Sequence, residues 1–165
     1  MAKKPTGGTP ATVALTRAGV AFTVHPYPHQ ANSTSYGEEA VAALGTDPRR
    51  VFKTLVGEVT AAHDSELVVA VVPVATHLDL KALATALGAK RASMADPAMA
   101  TRSTGYVLGG ISPLGQRTRL RTVVDASALD FDTVLVSAGK RGLQLELAPG
   151  DLVRATAALV AAIGA

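Results

Sequence analysis

Apolar residues recur along this 165-residue chain with two spacings, and each spacing predicts a different kind of element. Between residues 12 and 20 the apolar positions are spaced as on one face of a helix. Thr9 is the predicted N-cap of this helix, Pro10 its first residue, and Gly19 its end. Similar start and stop signals predict further helices at residues 38–44, at 79–87, after Asp96-Pro97, and at 149–163.

Runs of β-branched residues predict the strands. Residues 51–59 and 66–74 flank a polar turn around His63, which is typical of a β-hairpin. Other predicted strands lie at 21–25, 89–93, 122–125, 133–137 and 143–147, and the last two form a second hairpin. Interleaved helices and frequent hairpins predict a mixed α/β (α+β) domain whose mixed sheet curls into a partial barrel, rather than a doubly wound parallel fold.

Length and composition narrow the class of protein. Residues 9–165 suffice for a single domain, and we expect residues 1–8 to be a disordered leader. The absence of cysteine excludes disulfides, thiolate zinc sites and a cysteine nucleophile. The start of the chain lacks the apolar core of a secretory signal, and no apolar run is long enough to span a membrane. We therefore expect a cytoplasmic protein, and the net charge of +3 permits a polyanionic partner without predicting one.

A glycine-rich run at residues 101–115 is the most distinctive local feature. The pair Gly109-Gly110 removes two side chains, so that a ligand could approach the backbone closely and use its polar groups. Ser103, Thr104 and Ser112 add hydroxyl groups to the same run. The residues alone leave two interpretations open, which are a ligand-binding loop and an ordinary turn between strands.

Several common catalytic motifs are absent. Gly139-Lys140 lacks the upstream glycine of a phosphate-binding loop, and Ser112 is followed by proline, which excludes a serine-hydrolase elbow. We predict no metal and no cofactor, because the histidines, which are His25, His29, His63 and His77, have no nearby carboxylate in a known metal-binding pattern, and the pair His25 and His29 fits solvated loop histidines better than metal ligands. The sequence thus favours either an enzyme that works by positioning and electrostatics or a binding module with a glycine-rich pocket.

Seven segments in colinear order carry a family likeness. They are VFKTL (51–55), VVPV (71–74), LDLK (78–81), ADP (95–97), RSTGY (102–106), GGISPLGQ (109–116) and VSAGKRG (136–142). Together they resemble the YbaK-type Cys-tRNA(Pro) deacylases, which are similar to the editing domain inserted in bacterial prolyl-tRNA synthetases. The likeness runs from about residue 12 to 160. It implies one mixed α/β domain with a curled, barrel-like sheet flanked by helices, and it implies hydrolysis of mischarged Cys-tRNA(Pro).

The resemblance also implies site residues. Lys53 matches the active-site lysine of the family, and we expect backbone amides near Gly109 and Gly110 to stabilise a developing oxyanion. The predicted substrate-binding residues at positions that match the family's pocket are Tyr27, Tyr36, Thr54, Ser137 and Gln144, and the glycine-rich run adds Ser103, Thr104 and Ser112. Gln144 is a departure, because the best-known members carry an aspartate there, and glutamine cannot balance a buried ammonium charge.

The mechanism implied by the resemblance needs no protein nucleophile. In this family the thiol of the substrate's cysteine is thought to attack its own ester carbonyl. Lys53 would raise the thiolate fraction or bind the terminal ribose or phosphate. Strand alternation places Lys53 on the same face as Val51 and Leu55, which is unusual for a lysine that faces solvent.

The predicted partner is the acceptor end of an aminoacyl-tRNA, with prolyl-tRNA synthetase as a further candidate. Arg117, Arg119 and Arg121 recur at every second residue, and in an extended segment they would project from one face toward phosphates. Lys140 and Arg141 would add to this surface. Two other functions stay open: a deacylase for Ala-tRNA(Pro) or another small aminoacyl-tRNA that uses bound water, and a non-catalytic binder of aminoacyl or nucleotide ligands.

Overall fold

The computed structural model describes residues 8–165, so that residues 1–7 of the predicted leader lie outside the described residues. The helices are α1 (Pro10–Ala18), α2 (Tyr36–Leu44), α3 (Leu80–Ala86), α4 (Pro97–Thr104) and α5 (Pro149–Thr156), with a 3₁₀ turn at Ala126–Asp130. The strands are β1 (Thr23–Pro26), β2 (Phe52–Ala61), β3 (Asp64–Pro73), β4 (Arg91–Met94), β5 (Arg121–Asp125), β6 (Val134–Lys140), β7 (Leu143–Leu147) and β8 (Leu159–Ala161). The predicted mixed α/β class is confirmed.

The strands form two sheets. One sheet has the order β1-β7-β6 and is antiparallel, whereas the other has the order β4-β2-β3-β5-β8 and is mixed. Both predicted hairpins are present as β2-β3 and β6-β7. A parallel bridge between Val51 and Leu135 joins the sheets at the start of β2. Among residues 8–165 the pairing does not close into a ring, and the curled barrel stays a prediction.

Local capping explains why α1 was predictable. The Thr9 hydroxyl accepts a hydrogen bond from the Thr12 amide, and Gly19 ends the helix with a φ of +70°. Asp79 and Asp96 cap α3 and α4 in the same way. None of the helices in the described part of the chain is long and apolar enough to cross a membrane.

The prediction for the last helix was wrong beyond Thr156. Helix α5 ends there, with Ala157 at a φ of +52°, and Leu159–Ala161 then pair in parallel with β5. The Asp125 carboxylate accepts hydrogen bonds from the amides of Ile163 and Gly164. Contacts with distant residues therefore override a local pattern that suits a helix.

The core lies on both faces of the five-stranded sheet. Along β3, Val69 and Val71 pack toward α1, β6 and β7, whereas Val68 and Val72 pack toward α3. This alternation follows the two-residue period of a strand. Strand β3 is thus buried on both faces. It pairs along its whole length with β2, and so positions β2 where the two sheets meet.

Candidate active site

A small cavity of about 60 Å³ opens where the two sheets meet. This is several times the least volume that holds one water, about 10–15 Å³, so a group of a few heavy atoms fits. The lining residues come from distant segments and are Tyr36, Gly37, Val51, Phe52, Lys53, Thr54, Gly109, Ile111, Ser137 and Gln144. Of the residues predicted from the sequence, the cavity brings together Tyr36, Lys53, Thr54, Gly109, Ser137 and Gln144.

Lys53 supplies the cation of this cavity. Its Nζ donates a hydrogen bond of 2.7 Å to the Thr76 carbonyl oxygen, and the side chain is partly buried. Burial lowers the pKa of Lys53, and the charge of Glu38 acts in the opposite direction. An ammonium group has three N–H donors, so the contact with Thr76 leaves donors for a ligand.

Strands β6 and β7 contribute a polar wall. Ser137 and Gln144 are partners across the hairpin, and the register shifts between Ser137 and Lys140. The Ser137 hydroxyl accepts a hydrogen bond of 3.1 Å from the Gly139 amide. The Gln144 Oε1 and the Thr54 Oγ1 are buried without a hydrogen-bond partner among residues 8–165. Buried polar atoms are nearly always paired in native proteins, so these two indicate a place for a ligand or water.

The double glycine serves two different purposes. The Gly110 amide donates to the Val107 carbonyl at 2.9 Å and Gly109 has a φ of +82°, as in a type II turn. A Cβ on Gly109 would lie 2.5 Å from the Tyr36 ring, so glycine allows the ring to approach. Gly110 is buried against the Lys140 backbone and does not line the cavity. Its amide is already engaged, which removes it as an oxyanion donor.

Tyr36, at the start of α2, is held on several sides. The Arg141 guanidinium carbon lies 4.8 Å from the Tyr36 ring centroid, a cation–π contact. Arg141 also donates to the Leu108 carbonyl at 2.7 Å. His29 lies beside the same ring, and its Nδ1 is 2.6 Å from the Glu39 carboxylate. That hydrogen bond lowers the pKa of Glu39. Arg141, between β6 and β7, and His29, between β1 and α2, therefore both hold the Tyr36 ring in place.

Tyr27 lies behind the cavity rather than on its surface. Its backbone amide donates to the Gly142 carbonyl at 2.9 Å, and its side chain is buried. Burial raises the pKa of Tyr27, and contacts with the Gly142 backbone and the Gln144 side chain partly offset that rise. Tyr27 is therefore a neighbour of Gln144.

The structure does not bring Ser103, Thr104 and Ser112 to this cavity. Thr104, in the last turn of α4, donates to the Ala100 carbonyl, and the Ser112 hydroxyl accepts from the Leu114 amide. The Ser103 main-chain carbonyl accepts a hydrogen bond from the Thr118 amide. Their polar atoms stabilise a helix end and a turn, which sequence composition cannot distinguish from ligand contacts.

The predicted row of arginines is not one continuous face. Residues 117–120 are irregular, and only Arg121 belongs to a strand, where it forms an ion pair of 2.7 Å with Glu66. Arg119 lines a second cavity of about 220 Å³ between the 113–122 segment and α5. Of the two remaining predicted tRNA contacts, Arg141 packs on the ring of Tyr36, which lines the Lys53 cavity, and the adjacent Lys140 is exposed.

Two features escaped the sequence reasoning. The Thr76 carbonyl holds Lys53, but a backbone acceptor has no side-chain signature. Two histidines have carboxylate partners, since His25 pairs with Glu146 and His29 with Glu39. Within residues 8–165 no group of three or more potential ligands could hold a metal ion.

The geometry and the comparisons agree on the class. This chain belongs to the aminoacyl-tRNA editing domain family, whose profile matches residues 30–155. The resemblance inferred from the seven segments is therefore confirmed.

Particular relatives sharpen this assignment. The chain is 37% identical over 138 residues to the Enterococcus faecalis protein EbsC, named for Cys-tRNA(Pro)/Cys-tRNA(Cys) deacylase activity, covering 80% of this chain and 82% of EbsC. It is 32% identical over 118 residues to the Escherichia coli multifunctional Ser/Thr-tRNA deacylase ProXp-y, covering 70% and 71%. A crystal structure described as a trans-editing enzyme for prolyl tRNA synthetase superposes with a TM-score of 0.80 at 25% identity, covering 94% and 95%.

Proposed function

We propose that this protein is a trans-editing deacylase that hydrolyses mischarged Cys-tRNA(Pro). The observation that carries the proposal is the partly buried Lys53, which lines a cavity of about 60 Å³ that suits a small aminoacyl group. The 37% identity to EbsC supports cysteine as the amino acid. Editing is useful here because a synthetase pocket separates small apolar differences by only about 1–3 kcal/mol.

The proposed reaction uses the substrate's own sulfur. The cysteine thiol gives up its proton and attacks the ester carbonyl carbon, so that a C–S bond forms. The C–O bond to the terminal ribose then breaks, and the ribose oxygen takes a proton. Water afterwards opens the cyclic thioester and releases cysteine. Well-oriented intramolecular attack lowers a barrier by roughly 7–11 kcal/mol, so the protein's main task is orientation.

Lys53 would favour the thiolate. A cation close to a thiol lowers its pKa and raises the reactive fraction at neutral pH. The contact with Thr76 fixes the ammonium while leaving donors free, which suits this role. The Gly109 amide is the remaining oxyanion donor of the pair, because the Gly110 amide is used inside the turn.

A second function is favoured by the unpaired atoms of Thr54 and Gln144. Both could hold a water molecule that attacks the ester directly, in which case a thiol is unnecessary. Ala-tRNA(Pro) or another small aminoacyl-tRNA would then be a substrate. ProXp-y, at 32% identity, is named for serine and threonine esters.

The acceptor end of the tRNA is proposed to enter past Tyr36 and Arg141, because Tyr36 lines the cavity and the exposed Arg141 packs on its ring. The exposed Lys140 would meet phosphate there. We also propose prolyl-tRNA synthetase as a partner, on the strength of the structural relative described for that role.

We further propose that the sheet curls around this site into a partial barrel. The parallel bridge between Val51 and Leu135, which joins the two sheets, supports this shape.

One assay separates these functions. The protein and its Lys53→Ala variant are incubated with Cys-tRNA(Pro), Ala-tRNA(Pro) and Ser-tRNA(Pro). Cysteine-selective release that the variant loses supports the thiol route, and turnover of the alanyl ester supports the water route. Retained ligand binding without any release would leave the protein a binding module and would contradict both.

A further inference from the structure

A groove of about 430 Å³ lies on the surface between α2 and the segment that follows β3. Its volume falls in the range of ligand-binding pockets, about 300–1,000 Å³. Apolar residues form most of its lining and include Val41, Ala42, Val74 and Ala75, and the polar residues include Glu38 and His77. The reaction proposed above does not use this α2 groove.

The α2 groove lies beside the Lys53 cavity. Thr76 lines the groove, and its carbonyl oxygen accepts the 2.7 Å hydrogen bond from the Lys53 Nζ. Gly37 lines the cavity, whereas the next residue, Glu38, lines the groove. A Cβ on Gly37 would lie 2.7 Å from the Val74 Cγ2, so α2 touches the segment after β3 between the two spaces. A molecule held at Lys53 can therefore extend into the α2 groove.

Backbone hydrogen bonds hold the floor of the α2 groove in place. The Val74 amide donates to the Val51 carbonyl at 2.7 Å, and the Ala75 amide donates to the Pro48 carbonyl at 3.2 Å. Val51 also lines the Lys53 cavity, so its hydrogen bond with Val74 links the walls of both spaces. A preformed site spares its ligand part of the ordering cost of binding.

The side chains of the α2 groove select the kind of ligand. Glu38 is exposed, and its ionised carboxylate only accepts hydrogen bonds. Within residues 8–165 the lining includes no lysine or arginine, so a phosphate would meet a like charge without a fixed cation. His77 is exposed and carries an aromatic ring of the kind on which unpaired RNA bases stack. An apolar floor, an acceptor and a stacking ring together suit a nucleobase with an exocyclic amine.

We infer that the α2 groove binds the adenine base of the terminal adenosine of the tRNA while the aminoacyl ester lies at Lys53. The amino acid is esterified to the ribose of that adenosine, so a single sugar ring separates the ester from the base. The base site must therefore adjoin the Lys53 cavity, as the α2 groove does. Glu38 accepts a hydrogen bond from the adenine amine, and His77 stacks on the base. This inference rests on the proposed deacylase function and identifies the part of the tRNA that the protein holds next to the ester.

The test compares two ligands across matched variants. Amide-linked cysteinyl-adenosine and the same compound without its base are titrated into the protein, and NMR gives both the Kd and the amides that respond. Ala42→Phe fills the α2 groove, whereas Ala43→Phe makes the same change at the next, exposed position of α2, outside the groove. His77→Ala removes the stacking ring, and His63→Ala is its control in the exposed turn between β2 and β3. Thermal melting checks that each variant is folded.

The inference predicts a preference that depends on the base. A base stacked on an aromatic side chain strengthens binding about 5- to 150-fold, so the wild type should bind the adenosine compound tighter by that factor. Only this compound should shift the amides of Val41, Ala75 and Thr76. Ala42→Phe should abolish the preference and His77→Ala should reduce it, whereas both control variants should keep it. Equal Kd values for the two compounds, no binding of either, or a preference that survives in folded Ala42→Phe would overturn the α2 groove as the adenine site.

Failure of the proposed function gives a different result. Deacylation of Cys-tRNA(Pro) by the wild type is measured separately, and the titrations do not depend on turnover. Base-dependent binding in the α2 groove without deacylation would show that the deacylase function is wrong and that the nucleoside site is real. Deacylation by a wild type that binds both compounds equally would keep the function and reject the adenine site.

Discussion

Two clusters of buried polar groups differ in how completely they are hydrogen-bonded. At the end of β5, the Asp125 carboxylate accepts from the amides of Ile163, Gly164 and Ser127 and from the Ser127 hydroxyl. In the Lys53 cavity, by contrast, the Thr54 Oγ1 and the Gln144 Oε1 have no partner within residues 8–165. A fully paired cluster stabilises the fold, whereas an incompletely paired one is suited to a ligand.

Removing the cation should have the largest effect on activity. Lys53→Ala is expected to lower the deacylation rate about 100- to 1,000-fold, as loss of one electrostatic group in an active site does. Its effect on stability should be small, because the side chain makes a single hydrogen bond. Single-turnover deacylation of Cys-tRNA(Pro) measures the rate.

Lys81→Ala is the matched control, because Lys81 is exposed on α3. It should deacylate at the wild-type rate. A Lys53→Ala protein that is folded and equally active would remove the electrostatic role of Lys53.

Removing the Asp125 carboxylate from the fully paired cluster should lower stability rather than activity. Asp125→Ala leaves the amides of Ile163 and Gly164 without their acceptor, and we expect the free energy of unfolding to fall by about 2–4 kcal/mol. Denaturant unfolding measures this loss, and Asp130→Ala, at an exposed position in the adjoining turn, is the control. The folded fraction should keep its kcat/KM, and a clear loss there would show that the two clusters are coupled.

A smaller, mixed effect is expected at the glycine turn. Gly109→Ala adds a Cβ 2.5 Å from the Tyr36 ring and places alanine at a φ of +82°. The backbone strain should cost about 1–3 kcal/mol of stability, and the displaced ring should also lower activity. Unfolding and deacylation are measured together.

Gly45→Ala distinguishes the backbone strain of a positive φ from the steric clash of an added Cβ with Tyr36. Gly45 has a φ of +61°, but open space surrounds its Cβ position. This control should lose comparable stability and retain activity. Equal activity of the two variants would mean that the fit of Gly109 against Tyr36 is unimportant for catalysis.

Acid should gradually remove the stabilising effect of the Asp125 carboxylate. Burial raises the pKa of Asp125, but the hydrogen bonds from Ser127, Gly164 and Ile163 outweigh it, and the net pKa lies below its usual 3.8. A group with a lowered folded pKa stabilises the protein fully above the unfolded pKa and loses that contribution as the pH falls through the folded value. The difference in unfolding free energy between wild type and Asp125→Asn should therefore be constant above about pH 4–5 and shrink below it. A difference that does not change with pH would contradict the assignment.

Local signals made part of the fold predictable. Thr9, Pro10 and Gly19 specify α1 through caps that act within a few residues of the chain. The segment 157–163 has no such signal, and its strand depends on pairing with β5 and on the Asp125 carboxylate. Long-range hydrogen bonds of this kind are not visible in a window of the sequence.

The candidate active site was likewise predictable only in part. Strand alternation marked Lys53 as unusual, and the family likeness brought Tyr36, Ser137 and Gln144 into the prediction. The hydroxyls of Thr104 and Ser112 were predicted to bind substrate by composition, but each is used inside its own turn or helix. Neither the composition nor the likeness revealed that the Gln144 Oε1 would lack a hydrogen-bond partner within residues 8–165, because that depends on the positions of all its neighbours.

A crystal structure with amide-linked cysteinyl-adenosine tests the central claim most directly. The account predicts that the aminoacyl group enters the Lys53 cavity, with its thiol within hydrogen-bonding distance of Gln144 or Thr54 and its carbonyl facing Lys53 or the Gly109 amide. Binding instead in the larger cavity beside Arg119, with Gln144 still unpaired, would contradict it.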